Sequence, residues 1–302
     1  MIYVTQGHER GIGLEIFLKS FLLLSKKEQS QVALICDQSV FDKNLSDLKL
    51  AASNFKNLKI VHNKHFSGLH STNALLTGIE IVNEKDVLVT LPTSKDQLIF
   101  QNTHCAGYTE FFRAYYKNAA IPMTFVSLNK NILLITDHVS LKDVGFCISS
   151  DLIVNKTKIT LDNFKKYFVP IDEVIFSGIN PHSGEGGILG VGEEHITKAV
   201  QSLSLEYGNI FIGPISGDTL HTKENPKKNQ LFVYMFHDQA LASFKSQYGL
   251  IGLNVTLGLP FLRLSVDHGT AFDLYGKNKA NATSMIYLFK KAFEVTNVHQ
   301  RN

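Results

Sequence analysis

The sequence predicts an α/β protein built around a largely parallel sheet. Short apolar runs with the length of buried strands alternate with longer segments whose apolar residues recur at helical spacing. This alternation is typical of strand–helix–strand units, in which each helix crosses back over the sheet. The chain has 302 residues, 44% of them hydrophobic, which is enough for one large α/β domain or for two lobes.

The individual elements follow from hydrophobic periodicity and from the turns that bound it. Strand-length apolar runs predict strands at residues 2–5, 32–36, 58–62, 87–91, 123–127, 132–136, 173–176, 210–212, 231–235, 250–255 and 261–266. Helical spacing predicts helices at about residues 12–24, 40–50, 70–83, 106–118, 188–206, 238–246 and 278–296. The first four strand–helix pairs predict βαβ units in one parallel sheet. No linker or repeat interrupts the chain, so a division into two lobes would have to be discontinuous.

Composition narrows the class of partner and the compartment. The net charge is +3 without a dense basic block, which favours small anionic substrates over nucleic acid. Three widely spaced cysteines, Cys36, Cys105 and Cys147, form no CxxC pair, which favours a reducing compartment and argues against a disulfide framework and a thiolate metal site. The apolar run at 17–24 is short and contains a lysine, so we expect an amphipathic helix rather than a membrane span. These observations predict a cytoplasmic protein.

Three of the twelve histidines stand in positions that favour a metal site. His138 follows the apolar run ILLIT, His237 follows LFVYMF, and His182 lies in the glycine-rich loop that follows EVIF. In open α/β sheets, ligands bind at the carboxyl ends of strands. Three imidazoles from three such ends would suit Zn²⁺ or a similar divalent ion with an open coordination position.

Two further segments contain residues suited to binding anions or nucleotides. The loop GINPHSGEGG at 178–187 has four glycines, which allow a backbone to approach a ligand closely. In the segment 258–277, Arg263 has a guanidinium that can bind a carboxylate or phosphate, and Asp273 has a carboxylate suited to a ribose hydroxyl. The segment GHERGIG at 7–13 has the spacing GxxxGxG rather than the GxGxxG of dinucleotide-binding turns, and it predicts a tight turn entering a helix.

Four long motifs resemble one family. GINPHSGEGG, MFHDQA at 235–240 with Lys245 eight residues after its histidine, NVTLGLPFLR at 254–263 and VDHGTA at 266–271 are similar to the 4-hydroxythreonine-4-phosphate dehydrogenases of pyridoxal phosphate biosynthesis. The resemblance extends over essentially the whole chain and is strongest from 130 to 280. It implies a two-lobed α/β/α fold similar to isocitrate and isopropylmalate dehydrogenases rather than a Rossmann domain. It also implies NAD-dependent, divalent-metal-dependent oxidation of 4-phosphohydroxy-L-threonine.

The resemblance also implies how the chain is divided and assembled. The first lobe would comprise residues 1–105 and 260–302 and bind the dinucleotide. The second would comprise residues 106–259 and carry the metal, the substrate and the dimer contacts. We expect a homodimer with its active site at the subunit interface, acting on a small phosphorylated substrate with NAD and a zinc, magnesium or cobalt ion.

The matching positions assign roles to individual residues. The metal ligands would be His138, His182 and His237. The catalytic residues would be Lys245, which polarises the substrate or transfers a proton, and Asp238. The substrate-binding residues would be Tyr108, Thr109, Lys245, Asn254 and Arg263. The cofactor-binding residues would be Asp218, His268, Gly269, Thr270 and Asp273.

The sequence departs from the family pattern at three places near the substrate. Tyr108 stands where the family usually has a histidine, the N-terminal turn is replaced by QGHERGIG at 6–13, and TLPTSK at 90–95 replaces a segment that carries a second histidine. A tyrosine hydroxyl can donate a hydrogen bond but carries no positive charge towards a phosphate. Two alternatives therefore stay open: a dehydrogenase of phosphorylated sugar acids such as threonate or erythronate derivatives, and a catalytically silent metal- and ligand-binding relative. A metal-dependent hydrolase would use the same histidines but would not need the 268–273 segment.

Overall fold

The computed structural model of the chain describes residues 1–299, with the side chains of residues 1–297. Within them the strands are β1 (Ile2–Thr5), β2 (Val32–Ile35), β3 (Lys59–Val61), β4 (Val87–Thr90), β5 (Ile99–Phe100), β6 (Thr103–His104), β7 (Met123–Val126), β8 (Asn131–Leu134), β9 (Glu173–Ser177), β10 (Phe211–Ile215), β11 (Gln230–Tyr234), β12 (Leu253–Thr256) and β13 (Leu262–Val266). The α-helices are α1 (Gly13–Phe21), α2 (Lys26–Gln29), α3 (Gln38–Asp47), α4 (His70–Ile81), α5 (Tyr108–Tyr116), α6 (Val144–Cys147), α7 (Ser150–Tyr167), α8 (Glu193–Tyr207), α9 (His237–Tyr248) and α10 (Thr283–His299).

The chain divides into two units, one of them discontinuous. The first contains residues up to Lys117 and the chain from Leu259 onward, and the second contains Asn118–Gly258. The predicted first division lies near residue 105, whereas α5 belongs to the first unit. Rings of α5 explain this, because Phe112 packs against Phe261 and Phe111 packs against Phe100 within that unit. The end of the predicted first lobe, residues 300–302, lies outside the described residues.

The first unit has a parallel sheet in the order β13–β4–β1–β2–β3. Every residue of β2 and of β4 is buried. The sequence therefore shows continuous apolar runs in these strands instead of alternating apolar and polar residues. Helix α1 packs against α10 through Phe17 and Phe289, whose ring centroids lie 6.1 Å apart. The parallel sheet predicted from the first strand–helix pairs is therefore present.

The second unit has strands in the order β10–β9–β11–β8–β7–β12, parallel from β10 to β8 and antiparallel at β8–β7 and β7–β12. Alternate residues of β8 belong to different cores, since Leu133 packs with α7 and α8 whereas Ile132 and Leu134 pack with α9. Strand β11 divides in the same way. Because helices cover both faces, this unit is an α/β/α layer structure.

Helix α7 is the main element that the sequence analysis did not predict. It runs for 18 residues, and Ser149 caps its N-terminus by accepting a hydrogen bond from the Leu152 amide. Its buried face includes Lys156, Thr157 and Thr160, so polar residues occupy positions where periodicity would require apolar ones. Lys156 is accommodated there because its ammonium donates to the Ile135 carbonyl at 2.7 Å.

The remaining differences are local. The segment predicted as a strand at 250–255 begins with a 3₁₀ turn at Gly249–Ile251, and the strand itself starts at Leu253. The described helices contain no apolar stretch of the length and low charge that crossing a bilayer requires.

Candidate active site

Two of the three predicted metal-binding histidines lie side by side in the second unit. His138 follows β8, and His237 is the first residue of α9, separated from the end of β11 by Met235 and Phe236. Strands β8 and β11 are parallel neighbours, with Leu134 paired to Tyr234, so their carboxyl ends emerge together. The two imidazole centroids are 5.8 Å apart. Strand pairing therefore produces the local concentration of imidazole that the sequence pattern predicted.

Carboxylates accompany this pair. The Nδ1 atom of His237 lies 2.6 Å from Oδ1 of Asp238, and the buried Asp137 directly precedes His138. Both histidines line a cavity of about 250 Å³ together with these two acids and apolar side chains, including Phe236. A carboxylate at one ring nitrogen orients a histidine and leaves its other nitrogen for an ion. This donor set fits a divalent metal ion.

His182 lies in an unusual turn and does not join that pair within one chain. It belongs to the 3₁₀ turn Pro181–Gly187, where His182, Ser183 and Glu185 have φ values of 52°, 51° and 42°. A left-handed backbone costs a non-glycine residue about 1–2 kcal/mol. In the described part of one chain, the ligand atoms of His138, His182 and His237 do not all come within 4.8 Å of one another.

A second cavity, of about 610 Å³, lies beside the His182 turn. Its lining includes His182, Asp218, His221 and Phe236, and Phe236 also borders the first cavity. Ser216 donates a hydrogen bond of 2.5 Å to Asp218, and this bond, with a smaller effect from nearby His182, lowers the pKa of the Asp218 carboxyl. Asp218 is therefore an exposed carboxylate that faces the same cavity as His182. His221 was not among the predicted site residues, and nothing in its local sequence pattern distinguishes it.

The predicted catalytic pair occupies one face of α9. Asp238 and Lys245 are seven residues apart, close to two helical turns, and both side chains are exposed. Asn254 lies in β12, where its side chain is half-buried. These three residues and the three histidines all belong to the second unit.

The other predicted substrate-binding residues form a buried group in the first unit. Tyr108 donates a hydrogen bond from its hydroxyl to the Leu91 carbonyl at 2.9 Å, and its ring centroid lies 4.9 Å from the Arg263 guanidinium carbon. Arg263, 2% exposed, donates from Nε and Nη2 to Thr90 Oγ1 at 3.0 and 2.5 Å. Burial lowers the pKa of Arg263 to about 10 and raises the pKa of Tyr108. Thr109 is also buried.

The predicted dinucleotide segment of the first unit adjoins this group. His268 borders a cavity of about 240 Å³ that Tyr108 also lines, and its Nε2 lies 2.8 Å from the Ser284 hydroxyl. Gly269 and Asp273 are exposed, whereas the Thr270 carbonyl accepts a hydrogen bond from the Ile12 amide at 2.9 Å. That contact attaches the segment to the N-terminal turn.

The N-terminal turn leads directly into α1, as its spacing predicted. A Cβ atom added at Gly7 would lie 2.0 Å from the Pro92 carbonyl oxygen, so the backbone approach itself requires glycine there. His8 stacks edge-on against Phe272, with ring centroids 4.8 Å apart. The turn therefore packs closely against residues 270–272 and against Pro92. Its glycines permit this close packing, which is a structural role.

The fold and the paired histidines at adjacent strand ends define a class of protein: a two-unit α/β protein with a candidate metal site and the fold seen in isocitrate dehydrogenases. A solved isocitrate dehydrogenase from Methylococcus capsulatus shares the fold, with a TM-score of 0.52 at 11% identity over all of this chain and 88% of that one. The sequence model of one family, "Pyridoxal phosphate biosynthetic protein PdxA", matches residues 16–292. The chain belongs to this family.

Individual relatives agree with that assignment. A 4-hydroxythreonine-4-phosphate dehydrogenase from Sulfurimonas denitrificans is 32% identical, over 96% of both sequences. The crystal structure of a 4-hydroxythreonine-4-phosphate dehydrogenase from Burkholderia phymatum superposes with a TM-score of 0.77 at 25% identity, over 97% of both chains. The predictions of family, fold class and enzyme class are confirmed: the chain is an oxidoreductase of the pyridoxal phosphate biosynthetic family.

Proposed function

We propose that this enzyme oxidises 4-phosphohydroxy-L-threonine with NAD⁺ and a divalent metal ion. The product would be a β-keto acid that loses carbon dioxide to give 3-amino-2-oxopropyl phosphate. The observation that carries the proposal is the pair His138 and His237, 5.8 Å apart at the ends of adjacent parallel strands. Family membership supplies the substrate class and a nicotinamide cofactor.

His138, His182 and His237 would hold the ion, and imidazole and carboxylate donors suit zinc, magnesium or cobalt. When bound, the ion would stabilise the alkoxide form of the substrate alcohol, and the nicotinamide would accept its hydride. Asp238 orients the His237 ring through the 2.6 Å contact at Nδ1. Lys245, on the same face of α9 as Asp238, would transfer a proton at the reacting oxygen.

The anionic ends of the substrate would be bound by Arg263 and Asn254, with help from Thr109 and from Tyr108, whose ring lies beside Arg263. Burial favours this role for Arg263, because a guanidinium removed from water binds phosphate or carboxylate more strongly. Cofactor binding would fall to five residues: Asp218, His268, Gly269, Thr270 and Asp273. The three free cysteines, two of them buried, are consistent with a reducing, cytoplasmic location.

A homodimer would complete the metal site. In one chain His182 does not join the other two histidines, whereas apolar side chains that follow its turn, Ile188 and Val191, are 81% and 79% exposed. Contact with a second copy would cover these side chains. It would also allow His182 of one protomer to reach the paired histidines of its partner.

Mixing inactive variants tests this arrangement. A His182→Ala protomer and a His237→Ala protomer would each retain what the other lacks, so their heterodimer would contain one intact site. Refolding the two together in equal amounts should restore about a quarter of wild-type activity, since half of a random mixture is heterodimer with one of two sites intact. Recovery no greater than that of either variant alone would place all three histidines in the same subunit's site.

The reaction is tested by incubating the metal-stripped enzyme with 4-phosphohydroxy-L-threonine, NAD⁺ and Zn²⁺, Mg²⁺ or Co²⁺, and following NADH by its absorbance. Metal-dependent NADH formation is the expected result, and it should be absent in His237→Ala. If NADH appears equally without any metal, the metal-dependent scheme is wrong.

One observation keeps a second substrate class open. The Tyr108 hydroxyl is already hydrogen-bonded to the Leu91 carbonyl, so this position presents neither a positive charge nor an uncommitted donor to a phosphate. Because the position departs from the family pattern, a phosphorylated sugar acid of the threonate or erythronate type is the alternative substrate. Parallel assays with both compounds distinguish them by their values of kcat/KM.

A further inference from the structure

Glu193 holds the start of the loop that carries His182. It is the first residue of α8, and its Oε1 accepts hydrogen bonds from the Ile179 and Asn180 amides at 3.1 and 2.8 Å. Its two oxygens also accept from the Asn180 side-chain amide, at 3.2 Å for Oε1 and 2.9 Å for Oε2. One half-buried carboxylate therefore fixes both the backbone and the side chain of the residue two positions before His182.

Asn180 extends this attachment to the far end of the loop. Its side-chain amide donates to the Val191 carbonyl at 2.9 Å, and a Cβ atom at Gly190 would lie 2.5 Å from the Asn180 amide carbon. The middle of the loop is close as well, because a Cβ atom at Gly184 would lie 2.9 Å from Glu193 Oε2. Glu193 thus packs against the loop at its start, its centre and, through Asn180, its end.

The backbone between these attachments is one that the loop would not adopt by itself. His182, Ser183 and Glu185 all have positive φ values in a continuous left-handed turn. Strained conformations of this kind persist only where the surroundings over-determine them. Backbone hydrogen bonds also close the turn, such as that from the Leu189 amide to the Gly184 carbonyl at 3.0 Å. The side-chain contacts of Glu193 and Asn180 join the two ends of the turn and so contribute to its persistence.

We propose that Glu193 is a positioning residue for metal binding: it sets the direction of His182 by holding the turn in its left-handed form. The inference rests on the proposed role of His182 as a metal ligand. In an alternative role, Glu193 would only stabilise the N-terminus of α8 through its negative charge. That role would apply equally to its neighbour Glu194. Glu194 is exposed, and the hydrogen bond described for its side chain is local, accepted from the Gly192 amide at 2.8 Å. The pair is therefore a matched comparison.

The experiment measures Co²⁺ affinity by chelator competition, together with the visible spectrum of the bound ion, in the full-length protein. Glu193→Gln replaces one accepting oxygen by an NH₂ group, which cannot accept the hydrogen bonds that the loop donates. It should weaken Co²⁺ binding about 10-fold to 100-fold, the usual effect of losing an outer-sphere partner of a metal site. Glu193→Asp keeps the charge on a shorter side chain and should weaken binding less. Glu194→Gln should leave both the affinity and the spectrum unchanged.

A double-mutant cycle separates positioning from general destabilisation. If Glu193 acts through His182, then Glu193→Gln should have no further effect on Co²⁺ affinity in a His182→Ala background. Equal losses in both backgrounds, or wild-type affinity and spectrum in folded Glu193→Gln, would overturn the inference. Should Glu193→Gln fail to fold, Glu193→Asp in the same two backgrounds decides the question. Failure of the proposed function looks different, because the wild-type protein itself would then bind no Co²⁺ or His182→Ala would bind it normally.

Discussion

Replacing Tyr108 by phenylalanine tests the buried group around Arg263. The change removes one hydroxyl and keeps the ring that lies 4.9 Å from the guanidinium. The hydroxyl donates to the carbonyl of Leu91, a residue with no exposed surface. Losing the donor deprives a buried carbonyl of a partner, which costs about 1–3 kcal/mol. With a central value of about 2 kcal/mol, the Tm should fall by about 4–8 °C, at roughly 2–4 °C for each kcal/mol.

The assay is thermal unfolding followed by circular dichroism, with Tyr115→Phe as the control. Tyr115 lies two turns further along α5, and in the described part of the chain its hydroxyl makes no hydrogen bond, although its ring packs against Phe111. Its replacement should therefore change the Tm by less than about 2 °C, as surface-type substitutions do. Because the Tyr108 ring is kept, substrate KM should change little in Tyr108→Phe.

The reasoning would be refuted by equal Tm values for the wild type and Tyr108→Phe. It would also fail if Tyr115→Phe were the more destabilised variant. Either result would mean that the Leu91 carbonyl has access to water or another donor, and that the group around Arg263 is more hydrated than its burial indicates. In that case the Tyr108 hydroxyl would again be available to a substrate phosphate.

Two further predictions concern the backbone and the thiols. Gly186→Ala should lower the free energy of unfolding by about 1 kcal/mol, because φ is +68° at this position. Gly145→Ala is the control: a Cβ atom there also meets open space, but φ is not positive, so the change should be neutral or slightly stabilising. The Tm values of the two variants test this difference. Native protein should react with a thiol reagent rapidly at Cys147, which is exposed, and slowly at Cys36 and Cys105, which are buried. Burial raises the pKa of Cys36 to about 12, so its thiol stays almost entirely protonated at about pH 9, and its labelling should remain far slower than that of Cys147 at both about pH 7 and about pH 9, as mass spectrometry of the peptides would show.

Much of the fold could be predicted because buried parallel strands leave a simple pattern. Strands β2 and β4 are buried at every position, and their apolar runs appear in the sequence with errors of about one residue. Helix α7 could not be found in this way. Its buried Lys156, Thr157 and Thr160 depend on partners that only the folded chain supplies, such as the Ile135 carbonyl. Hydrophobic periodicity reveals buried apolar residues, but it does not reveal buried polar residues whose hydrogen bonds are satisfied in the fold.

The candidate site was predictable to the extent that it follows from topology. The positions of His138 and His237 after two apolar runs were enough to expect them at one edge of a sheet, and the parallel pairing of β8 and β11 brings them together. The role of Glu193 was not accessible. An acid at the start of a helix is common, and its bond to the Asn180 amide spans thirteen residues across an irregular loop.

The composition of the His182 turn links backbone strain to function. Glycine is the residue that a left-handed backbone accepts most readily, and the turn has glycine at 184, 186 and 187, all with positive φ. His182 adopts the same backbone with φ of 52°, where glycine would be less strained. A sequence stabilised only for folding would carry glycine there as well, as natural sequences depart from local preference mainly at functional sites. The strain at His182 therefore supports the proposal that its imidazole is needed for metal binding. It also explains why the Glu193 carboxylate makes several hydrogen bonds to so short a loop.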